Sequence, residues 1–187
     1  MRIIGGSNRG RALASVGKGD TAAHLRPTSD RVRESLFNVL AGGYGDPCTG
    51  ARVLDLFAGT GALGLEALSR GAEFAGFVES GRKAQALLMQ NISLCRAEAQ
   101  TKVFRQDARR LGQNPGAAYE LVFLDPPYGK GLGEAAMEAA LKGGWIADNA
   151  LIIWEENAAI QAPGGLHLSE ARRYGGTVIS FFERLEG

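Results

Sequence analysis

The stretch Val53-Leu54-Asp55-Leu56-Phe57-Ala58-Gly59-Thr60-Gly61-Ala62-Leu63-Gly64 decides the fold. An apolar run enters it, three glycines turn it, and a helical pattern leaves it as far as Gly71. A strand that turns through glycines straight into a helix opens a βαβ unit, because parallel neighbours need a crossover connection. The same alternation continues downstream. Strands are predicted near 52–57, 74–79, 102–106, 120–125 and 150–155, and helices over 61–70, 82–95 and 132–141. The end breaks the rule: 166–174 and 177–184 are two strand-like runs joined by Gly175-Gly176, an antiparallel hairpin for one sheet edge. Upstream, Pro27-Thr28-Ser29-Asp30 reads as a helix start, with Val32, Leu36, Val39 and Leu40 at helical spacing until Gly42-Gly43. The fold class is α/β, a mostly parallel sheet with helices on both faces.

Composition bounds the rest. At 187 residues, 45% apolar and 22% charged, the chain suits one globular domain and excludes disordered and fibrous classes. Its 27 glycines, about twice the usual ~7%, point to many tight turns and close backbone approaches. No segment reads as a signal peptide or a membrane span, and Cys48 and Cys95 make neither a disulfide framework nor a zinc site. The expectation is a cytoplasmic protein without a metal.

Gly59, Gly61 and Gly64 satisfy the dinucleotide pattern, and Glu79 ends the next strand where it could hold ribose hydroxyls. A nicotinamide or flavin cofactor is therefore a real rival. Asp55 argues against it, since a carboxylate beside the loop would repel a pyrophosphate. S-adenosylmethionine carries an ammonium and a sulfonium and no phosphate, so an acid there suits it. Phe57, Ala58, Gly59, Thr60 and Gly61 form the candidate cradle, with Asp107 and Ala108 at the adenine end. The plainer reading makes Asp55 and Asp107 caps of the helices that follow.

After the fourth strand the chain reads Leu124-Asp125-Pro126-Pro127-Tyr128. Two prolines stiffen the turn and remove two donors, leaving acceptors between a carboxylate and an aromatic ring. That arrangement suits a planar group bearing an NH2. Asp125 and the Pro126 carbonyl can accept its hydrogens while Tyr128 stacks on the ring. His24 and His167 are read as structural or solvent-facing.

Asp125-Pro126-Pro127-Tyr128 together with the 55–61 loop resembles the class I (Rossmann-like) methyltransferases that alkylate exocyclic amines of bases. The opening Arg2-Ile3-Ile4-Gly5-Gly6 and Arg9-Gly10-Arg11, then Arg26-Pro27-Thr28-Ser29-Asp30-Arg31-Val32-Arg33-Glu34-Ser35-Leu36-Phe37-Asn38, resembles the RsmD family nearly end to end, as does Leu65-Glu66-Ala67-Leu68-Ser69-Arg70-Gly71-Ala72. The resemblance implies a seven-stranded sheet with the last strand antiparallel. It also implies methyl transfer from S-adenosylmethionine to the 2-amino group of a guanine in small-subunit (16S) ribosomal RNA. It further sets the helix holding Arg31 to Phe37 over the cofactor's methionine end, with Arg26 and Thr28 near the pocket mouth. Some relatives carry Phe where this chain has Tyr128, which implies that the phenol hydroxyl is dispensable.

Residues 1–33 carry seven basic side chains against two acidic ones, so a basic leader, 1–28, is expected ahead of a single catalytic domain, 29–187. Arg2, Arg9, Arg11, Arg31 and Arg33 are the candidates for RNA phosphates, and losing the leader is expected to spare cofactor binding. The partner is then ribosomal RNA, within an assembling small ribosomal subunit. The chain is too short to add an element for reading base edges in duplex DNA, which favours RNA shape as the basis of choice. An adenine 6-amino methyltransferase acting on DNA or RNA, or a nucleic-acid-binding protein without catalysis, remain the alternatives.

Overall fold

A computed structural model describes residues 1–16 and 28–187 of the chain. Its strands are β1 (Arg52–Leu56), β2 (Phe74–Val78), β3 (Thr101–Phe104), β4 (Tyr119–Leu124), β5 (Ile146–Glu156), β6 (Leu166–Tyr174) and β7 (Thr177–Arg184). They form one sheet in the order β3-β2-β1-β4-β5-β7-β6. Neighbours from β3 to β5 are parallel, and β7 runs antiparallel between β5 and β6. This is the seven-stranded class I methyltransferase arrangement, with the terminal hairpin at the edge where its glycine turn puts it. β5 begins at Ile146, earlier than its apolar run, because Asp148 and Asn149 extend the strand at an exposed end.

Helices α1 (Asp30–Gly43), α2 (Ala62–Ser69) and α3 (Arg82–Leu94) cover one face, while α4 (Leu132–Lys142) and a 3-10 turn at Ala108–Arg110 cover the other. Successive strand residues alternate between faces. Val53, Phe77, Phe123 and Ile153 join the core under α1, α2 and α3, while Leu54, Val78, Val122 and Ile152 join the core under α4. Counting on by two from the first set, Asp55, Glu79, Asp125 and Glu155 fall on one face at the carboxyl ends of four parallel strands. The strand order reverses between β1 and β4, and ligand crevices open at such a point.

The leader is built into the body. Ile3 is 0% and Leu13 6% exposed, and Arg2 bridges Ala12 to close a small hairpin. Its receptor is α2, where the fully buried Glu66 carboxylate accepts from the Ile4 and Gly5 amides at 2.8 Å each and from Arg70. Ser69 accepts from the Asn8 amide, and its own carbonyl accepts from Ser7. A short helix buried on nearly every side needs partners for its polar groups, and the leader backbone supplies them.

Candidate active site

A crevice of about 770 Å³ opens at the carboxyl ends of the strands. Asp55, Phe57, Ala58, Gly59, Thr60, Glu79, Asp107, Asp125, Pro126, Pro127, Tyr128 and Thr28 all line it. Gly61 stands behind the lining residues, and Ala108 is buried under α4. Arg26 lies outside the described residues, as does His24.

The glycine loop owes its shape to local backbone. Phe57 takes a left-handed conformation, φ 58°, an uncommon state for a residue with a side chain, and Gly61 caps α2 at φ 80°. A Cβ on Gly64 would meet the Phe77 ring at 2.5 Å, so helix and strand pack this closely only through glycine. Asp55, 1% exposed, accepts from the Gly64 amide at 3.0 Å. The helix-capping role and a place on the crevice wall therefore belong to the same carboxylate. Burial pushes its pKa up to about 8, against the pull of the Gly64 amide, with the Glu79 charge adding to the rise. Glu79 accepts from Gly59 at 2.8 Å and from Gly81 at 2.7 Å, tying the first glycine turn to the start of α3.

Asp107 caps its 3-10 turn through the Arg109 amide and pairs with the Arg109 guanidinium at 2.6 Å. Its hydrogen bonds with that side chain hold its pKa below the usual carboxylate range. The carboxylate is thus already shared.

The Asp-Pro-Pro-Tyr loop is held from a distance. Tyr128 donates its hydroxyl to Glu155 at 2.6 Å and lies 3.0 Å from the Thr177 hydroxyl on β7. The hydroxyl that the resemblance made dispensable therefore has partners on two strands. Glu155 also accepts from Thr28 at 2.7 Å, and the Gly129 amide reaches Glu156 at 3.3 Å. Burial, then the charges of Glu155 and Asp55, raise the pKa of Asp125 well above its ordinary value, while the Thr28 hydroxyl pulls the other way. Sequence reasoning missed Glu155, although two acids closing an apolar strand at the crevice end were a signal.

Arg33 is the clear correction among the RNA candidates. It is 0% exposed, donates to the Arg2 carbonyl and to Asp30 at 2.8 Å, and lies 3.9 Å from Glu66. Helical spacing turns it inward beside Phe37, so it pins the leader and has no surface to offer a phosphate. Arg2, Arg9, Arg11 and Arg31 are exposed. The leader also reaches the glycine loop: Asn91 on α3 donates to both the Ala14 and Thr60 carbonyls, and Ser15 and Val16 line the crevice. Leader and crevice are therefore in contact. Among the described residues no helix is long and apolar enough to cross a membrane, and no group of three or more metal-ligating side chains gathers.

The model of the family described as Conserved hypothetical protein 95 matches residues 1–183. The chain belongs to this family, the RsmD family. A relative within the family, Ribosomal RNA small subunit methyltransferase D of Escherichia coli K12, is 38% identical over 187 residues, covering 98% of this chain and 90% of its own. The candidate rRNA methyltransferase YlbH of Bacillus subtilis is 34% identical over 190 residues, covering 98% and 99%. Among solved structures, the candidate methyltransferase yhhF of Escherichia coli superposes with a TM-score of 0.84 at 38% identity, over 100% of this chain and 99% of that one.

Proposed function

We propose that this protein transfers a methyl group from S-adenosylmethionine to the exocyclic 2-amino group of one guanine in small-subunit (16S) ribosomal RNA, within an assembling small ribosomal subunit in the cytoplasm. The observation that carries the reading is that two loops leaving adjacent strands, the 55–61 glycine loop and Asp125-Pro126-Pro127-Tyr128, line one crevice. The names of the family relatives support ribosomal RNA as the substrate class.

The residues fit the cofactor chemically. The crevice falls within the usual ~300–1,000 Å³ of ligand pockets, and the carboxylates of Asp55 and Glu79 beside the glycine loop suit a cation there rather than a pyrophosphate, although Arg82, Lys83, Arg109 and Lys130 also line it. When bound, S-adenosylmethionine supplies a methyl group activated by a sulfonium. Asp55 faces its positive charges, Glu79 accepts from the ribose diol with the lone pairs that Gly59 and Gly81 leave free, and Asp107 shares its carboxylate between Arg109 and the adenine amine. Phe57, Ala58, Gly59, Thr60 and Gly61 form the cradle, Ala108 backs the adenine end, and Thr28 closes the mouth.

On the loop after the neighbouring strand β4, Asp125 and the Pro126 carbonyl accept the two hydrogens of the guanine amine, while Tyr128 stacks on the flipped base. Pro127 keeps the turn rigid. The nitrogen lone pair then points in line at the methyl carbon, and orientation supplies most of the acceleration. The proton leaves the amine after transfer. Exposed Arg2, Arg9, Arg11 and Arg31 contact phosphates, which position the RNA without reading its sequence.

Mass spectrometry of ribosomal nucleosides from a strain lacking the gene tests the reading. Loss of N2-methylguanosine from small-subunit RNA is expected. Loss of N6-methyladenosine instead would give the site to adenine, and an unchanged nucleoside profile would overturn both.

A further inference from the structure

We propose that Glu155 is a positioning residue that seats the base-binding loop, acting through the Tyr128 hydroxyl; the catalytic consequence rests on the reading above. Prolines at 126 and 127 have no amide hydrogen, so the donors that tie the turn to the sheet come from the residues after them, Tyr128 and Gly129. Strand β5 takes hold of the far end. Glu155 and Glu156 are each 8% exposed, and as successive strand residues they point to opposite faces. One grips the Tyr128 hydroxyl and the other the Gly129 amide, so the loop is gripped from both sides.

Glu155 does more than hold one phenol. Its second oxygen accepts from Thr28, the residue ahead of the α1 cap Ser29, and the phenol itself bridges to Thr177 on β7. Two segments far apart in sequence, at Thr28 and Tyr128, therefore meet on one buried carboxylate, and a third, at Thr177, meets the phenol. A buried acid is costly unless its oxygens are satisfied, and here each has a hydroxyl donor. The arrangement fixes the ring whose face receives the base. Glu155 also lies close enough to Asp125 to add to burial in raising the pKa of that acid. A loop that carries reacting geometry is effective only when its own supports are rigid.

The test is a double-mutant cycle of Glu155→Gln and Tyr128→Phe in the full chain, read by methylation of small-subunit particles. Each single variant is expected to lower kcat/KM about tenfold, mainly through KM for the particle, and the double variant to fall no further than either, since both remove one contact. Affinity for S-adenosylmethionine stays within about twofold, because Glu155 does not line the crevice. Effects that multiply to about a hundredfold, or a Glu155→Gln variant at the wild-type level, would overturn the proposal. Should Glu155→Gln fail to fold, Thr177→Val against Tyr128→Phe runs the same cycle from the other partner, with the same two outcomes.

A second readout stands apart from catalysis. Burial, the Glu155 hydrogen bond and the charges of Glu155 and Asp125 hold the Tyr128 phenol above its ordinary pKa, against the Thr177 hydroxyl. Carbon-13 labelling of tyrosine rings, followed by NMR titration, should show this phenol moving back toward its ordinary value in Glu155→Gln. A phenol that ignores the substitution overturns the clamp even if guanine is methylated. A phenol that moves while wild type makes no N2-methylguanosine supports the clamp and removes the substrate reading.

Discussion

The two walls of the crevice are built by opposite strategies. On the wall proposed for the cofactor the turn itself is shaped by local backbone, Gly61 at φ 80° and the Gly64 amide on Asp55 nine residues away, while Glu79 and Asn91, 20 and 31 residues beyond Gly59 and Thr60, brace it. On the wall proposed for the base two prolines deny the turn amide donors, and its hold comes from Glu155 and Thr177, 27 and 49 residues beyond Tyr128. A locally determined loop can be read as a motif, whereas a loop seated by distant strands shows only its chemistry in the sequence. The base wall should accordingly tolerate changes that alter the cofactor wall, and the reverse.

The largest expected separation is at the base wall. Asp125→Ala should lower single-turnover methyl transfer about a hundredfold or more, ~3 kcal/mol, because the amine loses its in-line orientation. Calorimetry should find its S-adenosylmethionine affinity within about twofold of wild type; a large loss of affinity would merge the two walls into one site.

Next in size is the support behind the cofactor wall. Leu13→Ala removes a buried leader side chain and should cost about 2–5 kcal/mol in chemical denaturation. It should also weaken cofactor binding, because Asn91 links the segment at Ala14 to the Thr60 carbonyl. Cofactor affinity unmoved by a destabilising Leu13→Ala would mean that leader and crevice are independent after all.

Asp55→Asn is expected to weaken S-adenosylmethionine binding about tenfold, ~1.4 kcal/mol. In the free protein burial holds this acid near pKa 8, and a bound cation favours its ionised form, so binding releases a proton. Wild-type affinity should therefore rise with pH up to about 8 and level off above, whereas Asp55→Asn should be flat. The raised value also means that the unfolded chain ionises first, so the ligand-free protein should lose stability as pH climbs from 3.8 toward 8. An affinity that ignored pH would place the ionisation elsewhere.

The smallest effects belong to the surface. Arg9→Ala and Arg11→Ala should each reduce the slope of log affinity against log salt for RNA by roughly 0.7 to 0.9 and leave cofactor binding alone. Arg33→Ala should act oppositely, lowering the melting temperature through the leader contacts while leaving the salt slope unchanged.

The alternation of strands and helices, the edge hairpin, the glycine turn and the Asp-Pro-Pro-Tyr loop were all legible in the chain, because each depends on periodicity or on residues a few places apart. Local chemistry thereby determined the sheet, the crevice end and the acids that line it. What tertiary structure alone decided is which partner each polar group takes. Arg33 reads as one more leader cation until α1 turns it inward, and nothing near Glu66 in the sequence shows that Ile4 and Gly5, 62 and 61 residues away, settle their amides on it. Glu155 likewise takes the Tyr128 and Thr28 hydroxyls, 27 and 127 residues away. Burial removes water as the default partner, so a buried polar group must take whatever donor or acceptor packing brings to it, and that choice is made by segments distant in sequence.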